Sequence, residues 1–284
     1  MVADKKVYAF IHHEFVPLTE AYLHISDLAI QRGYGIFDYF WIQRGQPLFF
    51  EDYLDRFYQS AGLMQLPVPL ERRALREKAL ELIRLNNFPL SGMKLLLTGG
   101  YSESGYEPGT PNLVLIEQAV AYPEQENVEK GIKIITHEYQ RELPAAKTIN
   151  YNMGIRLIGQ IKEKGAQDVL YHQNGIVTEF PRSNFFIVKQ DNTIATPARE
   201  VLKGITRKNV LDLAAATYAT EEGNITFEDV QQAKEAFQTS TTKRIVPIVQ
   251  INDTLIGTGK PGSVTLALLQ QLEALEQQYI DQTK

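Results

Sequence analysis

The stretch Ala119–Gly131 interrupts an otherwise regular alternation of apolar runs and amphipathic patterns, and it turns acidic as it does so. A lapse of that kind marks a place where few contacts cross, so it divides the chain into two blocks that each bury a core. We expect a small N-terminal α/β domain over 1–120, a linker over 121–131 and a larger C-terminal domain over 132–284. The 44% hydrophobic content of the 284 residues suits two domains of moderate size. Both blocks mix strands with helices, which predicts two α/β or α+β domains.

In the first block, Tyr8–Ile11 and Phe15–Leu18 read as a hairpin around His12-His13-Glu14. Gly35–Gln43 is a long β-rich run that turns at Arg44-Gly45-Gln46 and returns through Pro47–Phe50. Glu51–Leu63 and Glu71–Asn86 have helical spacing, the second through Leu75, Ala79, Leu82 and Ile83. Lys94–Thr98 and Leu113–Gln118 are apolar strands. In the second block, Ile132–Thr136 reads as a strand and Met153–Lys164 as a helix. Asp168–His172 and Ile176–Glu179 form a hairpin across an Asn-Gly turn. Asn184–Lys189 pairs with Thr193–Thr196, Thr206–Thr220 is a helix, and Phe237–Thr239 and Arg244–Ile251 are strands. A helix over Val264–Gln282 closes the chain.

Several function classes drop out. A net charge of −5 offers no basic field to nucleic acid or an anionic membrane. No apolar run approaches the ~20 residues of a membrane helix. Met1–Val7 is too polar for a secretory signal, and with no cysteine the expected setting is the reducing cytoplasm. The five histidines lack zinc-type spacing, so no metal site is expected. There is no Gly-x-Ser-x-Gly elbow and no Walker loop.

Four segments in a fixed order carry the chemistry: Lys147-Thr148-Ile149-Asn150-Tyr151, Val177-Thr178-Glu179 with Ser183-Asn184, Leu202-Lys203-Gly204-Ile205-Thr206-Arg207, and Thr239-Ser240-Thr241-Thr242. Lys147 lies in a weakly polar context that suits an enclosed amine, although alone it would read as a solvated loop lysine. Glu179 ends a strand. Gly204 permits a tight approach, and the N–H groups of Ile205 and Thr206 open a helix where a phosphate is favoured. The hydroxyl run supplies neutral donors. Arg56, on an amphipathic helix, can grip a phosphate with two donors, or else pair with Asp52 or Asp55 on the surface. Together these are an amine nucleophile, a carboxylate, a phosphate-binding helix start and a hydroxyl cluster. Such parts can hold pyridoxal phosphate and use it as an electron sink.

On these segments the chain resembles the fold-type IV pyridoxal-phosphate enzymes: D-amino-acid aminotransferases, branched-chain aminotransferases and 4-amino-4-deoxychorismate lyases. The likeness runs from Ser26-Asp27 and Arg32-Gly33-Tyr34-Gly35-Ile36-Phe37-Asp38 to Lys260-Pro261-Gly262. It implies that Lys147 is the Schiff-base lysine and that Glu179 pairs with the pyridine nitrogen. It further implies that Arg56, Ile205, Thr206, Thr241 and Ser240 hold the phosphate, with Gly204 at the cup. By the same likeness Leu202 packs on the ring, Tyr151 hydrogen-bonds the phenolic oxygen, and Phe37 and Thr242 lie on the substrate side. A homodimer is implied too, with a loop from each partner completing the other's site.

Within that group, D-amino-acid aminotransferases carry an Arg-x-His pair after the strand that here reads Leu95-Leu96-Leu97-Thr98. This chain continues Gly99-Gly100-Tyr101-Ser102 instead. A substrate carboxylate needs a cation, and Arg182 and Arg32 are the substitutes we expect. The compact length and the short Lys-x-x-Asn segment favour a D-amino acid donor with a 2-oxo acid such as 2-oxoglutarate. Branched-chain L-amino-acid transfer and aminodeoxychorismate lysis use the same lysine and stay open, as does a pyridoxal-binding protein without catalysis.

Overall fold

The computed structural model describes residues 6–122 and 125–282. The polar start at Met1–Lys5 and Pro123–Glu124 of the expected linker lie outside the described residues. The chain resolves into two compact units. One comprises residues 1–121, 146–150 and 279–284. The other comprises 122–145 and 151–278.

The first unit is built on a six-stranded sheet. Strands β1 (Tyr8–Ile11) and β2 (Glu14–Pro17) form the expected hairpin, and Leu28–Arg32 makes a short helix, α1. Asp27 explains α1. Its carboxylate accepts the Ala29 N–H at 2.8 Å as an N-cap and holds Thr98 and Asn112 with its other oxygen. Strand β3 (Gly35–Gln43) turns into β4 (Gln46–Pro47), then come α2 (Phe50–Leu63), α3 (Arg72–Asn86), β5 (Leu90–Thr98) and β6 (Leu113–Ala119). The sheet order is β2-β1-β6-β5-β3-β4. All four predicted positions of the α3 stripe are buried.

Strand alternation separates the two faces of β3. Ile36, Asp38, Phe40 and Ile42 are fully buried, whereas Phe37 and Tyr39 are half-buried on the other face. Residues 146–150, expected in the C-terminal domain, belong with this first unit. The reason is backbone pairing: Ile36 bridges Thr148, the Phe37 N–H donates to the Lys147 carbonyl at 2.9 Å, and the Ile149 N–H donates to Gly35. The edge of β3 left uncovered by β5 is thereby filled.

The second unit begins with α4 (Glu126–Lys130), a helical turn inside the expected linker, and β7 (Ile132–Glu138). The single helix expected over 153–164 is two, α5 (Asn152–Arg156) and α6 (Ile158–Glu163). They break at Leu157, which turns inward to pack with Ile135, Val169 and Tyr171. Then follow β8 (Asp168–Gln173), β9 (Ile176–Val177), β10 (Asn184–Val188), β11 (Ile194–Pro197) and α7 (Ile205–Ala215). Helix α7 stops five residues before the expected Thr220, because Thr220–Gly223 (β12) is drawn into parallel pairing with β11. The rest is β13 (Ile225–Thr226), α8 (Phe227–Gln231), β14 (Glu235–Ser240), β15 (Arg244–Ile251), β16 (Thr254–Leu255) and α9 (Ser263–Gln282).

The second sheet runs β12-β11-β10-β14-β15-β7-β8-β9-β13, with β16 on β15. One face is packed by Phe185, Ile187, Ala236 and Val246. The other carries Phe186 stacked on Phe237 beneath α7 and α9. No helix among the described residues is long and apolar enough to cross a membrane.

Candidate active site

In the first unit, Lys147 lies directly opposite Phe37 on the edge of β3, so both side chains project from the same face. The Lys147 ammonium nitrogen sits 4.7 Å from the centre of the Phe37 ring. The lysine is half-buried, and its backbone N–H donates to Ser60 Oγ at 3.1 Å. Ser60 lies one turn beyond Arg56 on the same face of α2. Arg56 is buried, not a surface partner of Asp52 or Asp55. Its Nε and Nη2 donate to the two oxygens of Asp38 at 2.9 and 2.6 Å, and its guanidinium rests 5.3 Å from the Tyr53 ring centre. Asp55 pairs with Arg72 instead. Arg32 is exposed at the end of α1 and bonds the adjacent Gln31 carbonyl.

In the second unit a row of polar side chains runs from a bridge residue beyond β9 across β10 and β14. Glu179 bridges Asn184, and Asn184 pairs with Thr239, so the three share one sheet face. All are buried: Glu179 is 4% exposed, Asn184 6% and Thr239 1%. The segment before α7 is latched across this row. The Leu202 N–H donates to Glu179 Oε2 at 2.9 Å, and the Leu202 carbonyl accepts from Asn184 Nδ2 at 2.7 Å. Two residues on, Gly204 lies so close that a Cβ would come within 2.2 Å of Asn184 Oδ1. A glycine is required there by space alone.

Helix α7 starts immediately after, with no side-chain cap on its N-terminus. Its first N–H groups point out of the helix and favour an anion. Thr239 Oγ1 is buried with no hydrogen-bond partner, and so is Ser183 Oγ. An unsatisfied buried hydroxyl is costly unless something binds it. These donors suit a phosphate. Residue type alone does not single out Thr239 within the hydroxyl run, but its strand position gives it the buried face. Of its neighbours, Ser240 Oγ accepts the Lys243 N–H and closes the turn, Thr241 is half-buried and Thr242 is exposed.

Arg141 also escapes the sequence reading. Its Nε donates to Glu179 Oε1 at 2.8 Å, its Nη2 lies 2.6 Å from the same oxygen, and Nη2 also donates to the Pro144 carbonyl. Tyr151 and Arg182 line one cleft of about 500 Å³ with Asp168 and Ile155. Arg182 is exposed in that cleft. The two arginines expected to act as a clamp fall in different units, Arg32 in the first and Arg182 in the second.

This set of parts has a counterpart among known proteins. Residues 35–251 match the family described as amino-transferase class IV, and the chain belongs to that family. It is similar to the D-alanine aminotransferase of Bacillus licheniformis, at 28% identity over 87% of this chain and 89% of the relative. It is 29% identical to a putative branched-chain-amino-acid aminotransferase of Methanocaldococcus jannaschii, over 93% of this chain and 94% of that one. The T.th. branched-chain amino acid aminotransferase, solved with pyridoxamine 5'-phosphate, superposes with a TM-score of 0.88. Its identity is 25%, and the match covers 96% of this chain and 95% of that one. The fold is therefore fold type IV, the activity class is transamination, and the cofactor is pyridoxal 5'-phosphate.

Proposed function

We propose that Lys147 is the amine that joins the cofactor and then moves the proton between the substrate carbon and the cofactor carbon. Once bound, pyridoxal phosphate supplies an electron sink for the electrons released at the substrate carbon. Glu179 faces the pyridine nitrogen, and Leu202 lies on the ring. Gly204, Ile205, Thr206 and Thr239, with Ser240, Thr241 and Arg56, hold the phosphate. Tyr151 meets the phenolic oxygen. The observation that carries this reading is the buried row Glu179–Asn184–Thr239 with the Leu202 backbone latched across it and an uncapped helix start beside it. Asp38 supports it from the other unit by gripping the Nε edge of Arg56, which presets the guanidinium for a bidentate anion.

We infer that the donor is a small D-amino acid and the acceptor a 2-oxo acid such as 2-oxoglutarate, in a cytoplasmic homodimer. Arg182 and Arg32 take the substrate carboxylate, with Phe37 and Thr242 on the substrate side. The D-alanine aminotransferase relatives support the stereochemistry. Branched-chain L-amino-acid transfer is the second reading, favoured by the TM-score of 0.88 to the solved branched-chain enzyme. The visible absorption of the cofactor-loaded protein separates them. Bleaching of the band of lysine-bound cofactor by D-glutamate or D-alanine alone supports the first reading. Bleaching by L-glutamate or L-leucine alone supports the second. Pyruvate released from aminodeoxychorismate without any acceptor would make the protein a lyase.

A further inference from the structure

Glu179 is held on both sides before any ligand arrives. Oε2 takes the Leu202 N–H at 2.9 Å, and Oε1 takes the forked guanidinium of Arg141 at 2.8 and 2.6 Å. The Arg141 side chain is 16% exposed and that of Glu179 only 6%. In so enclosed a place the charge–charge interaction is weakly screened. Two other ionisable groups near Glu179, Tyr171 and Asp168, are accounted for. Burial pushes the Tyr171 hydroxyl well above its ordinary range, so it stays neutral, and its ring packs on Tyr139. Asp168 is taken up by the Lys243 ammonium at 2.9 Å.

We propose that Arg141 is a positioning residue that decides where the proton shared between Glu179 and the cofactor's pyridine nitrogen resides. The proposal rests on the reading that Glu179 faces that nitrogen. A proton on that contact has two homes: on nitrogen, giving a pyridinium beside a carboxylate, or on oxygen, giving a neutral pyridine beside a carboxylic acid. A guanidinium and a backbone N–H on the carboxylate both lower its affinity for a proton. The proton therefore stays on nitrogen, and the ring keeps the positive charge that accepts electrons. Without the arginine the carboxylate becomes the better base, the proton crosses to Glu179, and the sink is lost although every contacting residue is still in place. Arg141 touches neither substrate nor ring and acts only through Glu179.

The test uses the full-length protein loaded with pyridoxal 5'-phosphate carrying ¹⁵N in the ring. We expect the ring nitrogen to resonate as a pyridinium in the parent protein and to move to the neutral-pyridine position in Arg141→Met. The first half-reaction should slow by about 10–100-fold, the size typical when the outer partner of a contacting ligand is removed, while KM for the amino acid changes little. Arg141→Lys, which keeps the charge, should restore the pyridinium signal and part of the rate. If Arg141→Met does not fold, Arg141→Gln carries the same expectation, because it is neutral and still reaches a carbonyl. A pyridinium signal in the neutral variant, or a half-reaction within twofold of the parent, overturns the proposal. A parent protein that forms no visible band with the cofactor would instead overturn the site reading beneath it.

Discussion

In each unit a buried carboxylate of the proposed site meets a guanidinium, and the two pairs are built differently. Asp38 and Arg56 close on each other: both oxygens meet donors of the same arginine, and the side chains are 0% and 8% exposed. Glu179 divides its oxygens between Arg141 and the Leu202 backbone. The first arrangement ties α2 to β3 and fixes the orientation of the guanidinium. The second joins a loop, a bridge residue and the approach to α7, so it links fold and chemistry. On the proposed reading, the same two functional groups orient a phosphate-holding guanidinium in one unit and tune an acid–base partner in the other.

That contrast makes separable predictions. The largest effect lies outside both pairs and anchors the scale: Lys147→Ala should lose about 10²–10⁴-fold or more in turnover while remaining folded, as judged by circular dichroism. Glu179→Gln leaves the Arg141 guanidinium without its counter-charge, but that side chain is 16% exposed, so unfolding by denaturant should shift less than for the more enclosed Asp38–Arg56 pair. Its turnover should fall by about 10²–10³-fold, the range seen when one electrostatic stabiliser of a transition state is removed. Asp38→Asn should do the reverse. Breaking a buried pair costs about 3–5 kcal/mol, visible in urea unfolding, with turnover of the folded fraction less affected than in Glu179→Gln. Equal effects of these two variants on both measurements would erase the contrast.

Smaller effects test the phosphate cup. Gly204→Ala forces a Cβ onto Asn184 Oδ1. Cofactor affinity, followed by fluorescence titration, should weaken by about tenfold, or ~1.4 kcal/mol. The smallest effect concerns acid. Lys203 and Arg207, flanking the cup, pull the Glu222 carboxyl from the ordinary 4.5 down to about 2. A depressed carboxyl contributes stability that is full above 4.5 and is lost as pH falls from there toward 2. Glu222 is half exposed, so the contribution is small. Glu222→Gln should lower the melting temperature slightly near neutrality, where the contribution is full, and its profile should converge with the parent's as pH falls from 4.5 toward 2.

Sequence pattern foretells what depends on neighbours close in the chain. The stripe of α3, the β3 run and the Asn-Gly hairpin all follow from local periodicity and turn chemistry. The order of segments likewise points to Glu179 and the α7 start. Long-range pairing stays hidden. Nothing local assigns residues 146–150 to the edge of β3, since that placement depends on which strand edge remains open. Arg56 shows the same limit: its sequence neighbours Asp52 and Asp55 suggest surface pairs, while its true partner lies on β3 and is reached only because α2 turns that face inward. Thr239 is not singled out from its hydroxyl run, and Arg141 goes unnoticed, because burial, not residue type, sets them apart.

The most direct measurement of the central claim is borohydride reduction of the cofactor-loaded protein followed by peptide mass spectrometry. A phosphopyridoxyl group on the peptide containing Lys147, and no such adduct in Lys147→Ala, is the predicted result. An adduct on another lysine, or one that survives the substitution undiminished, would contradict the assignment of the catalytic amine and with it the site described above.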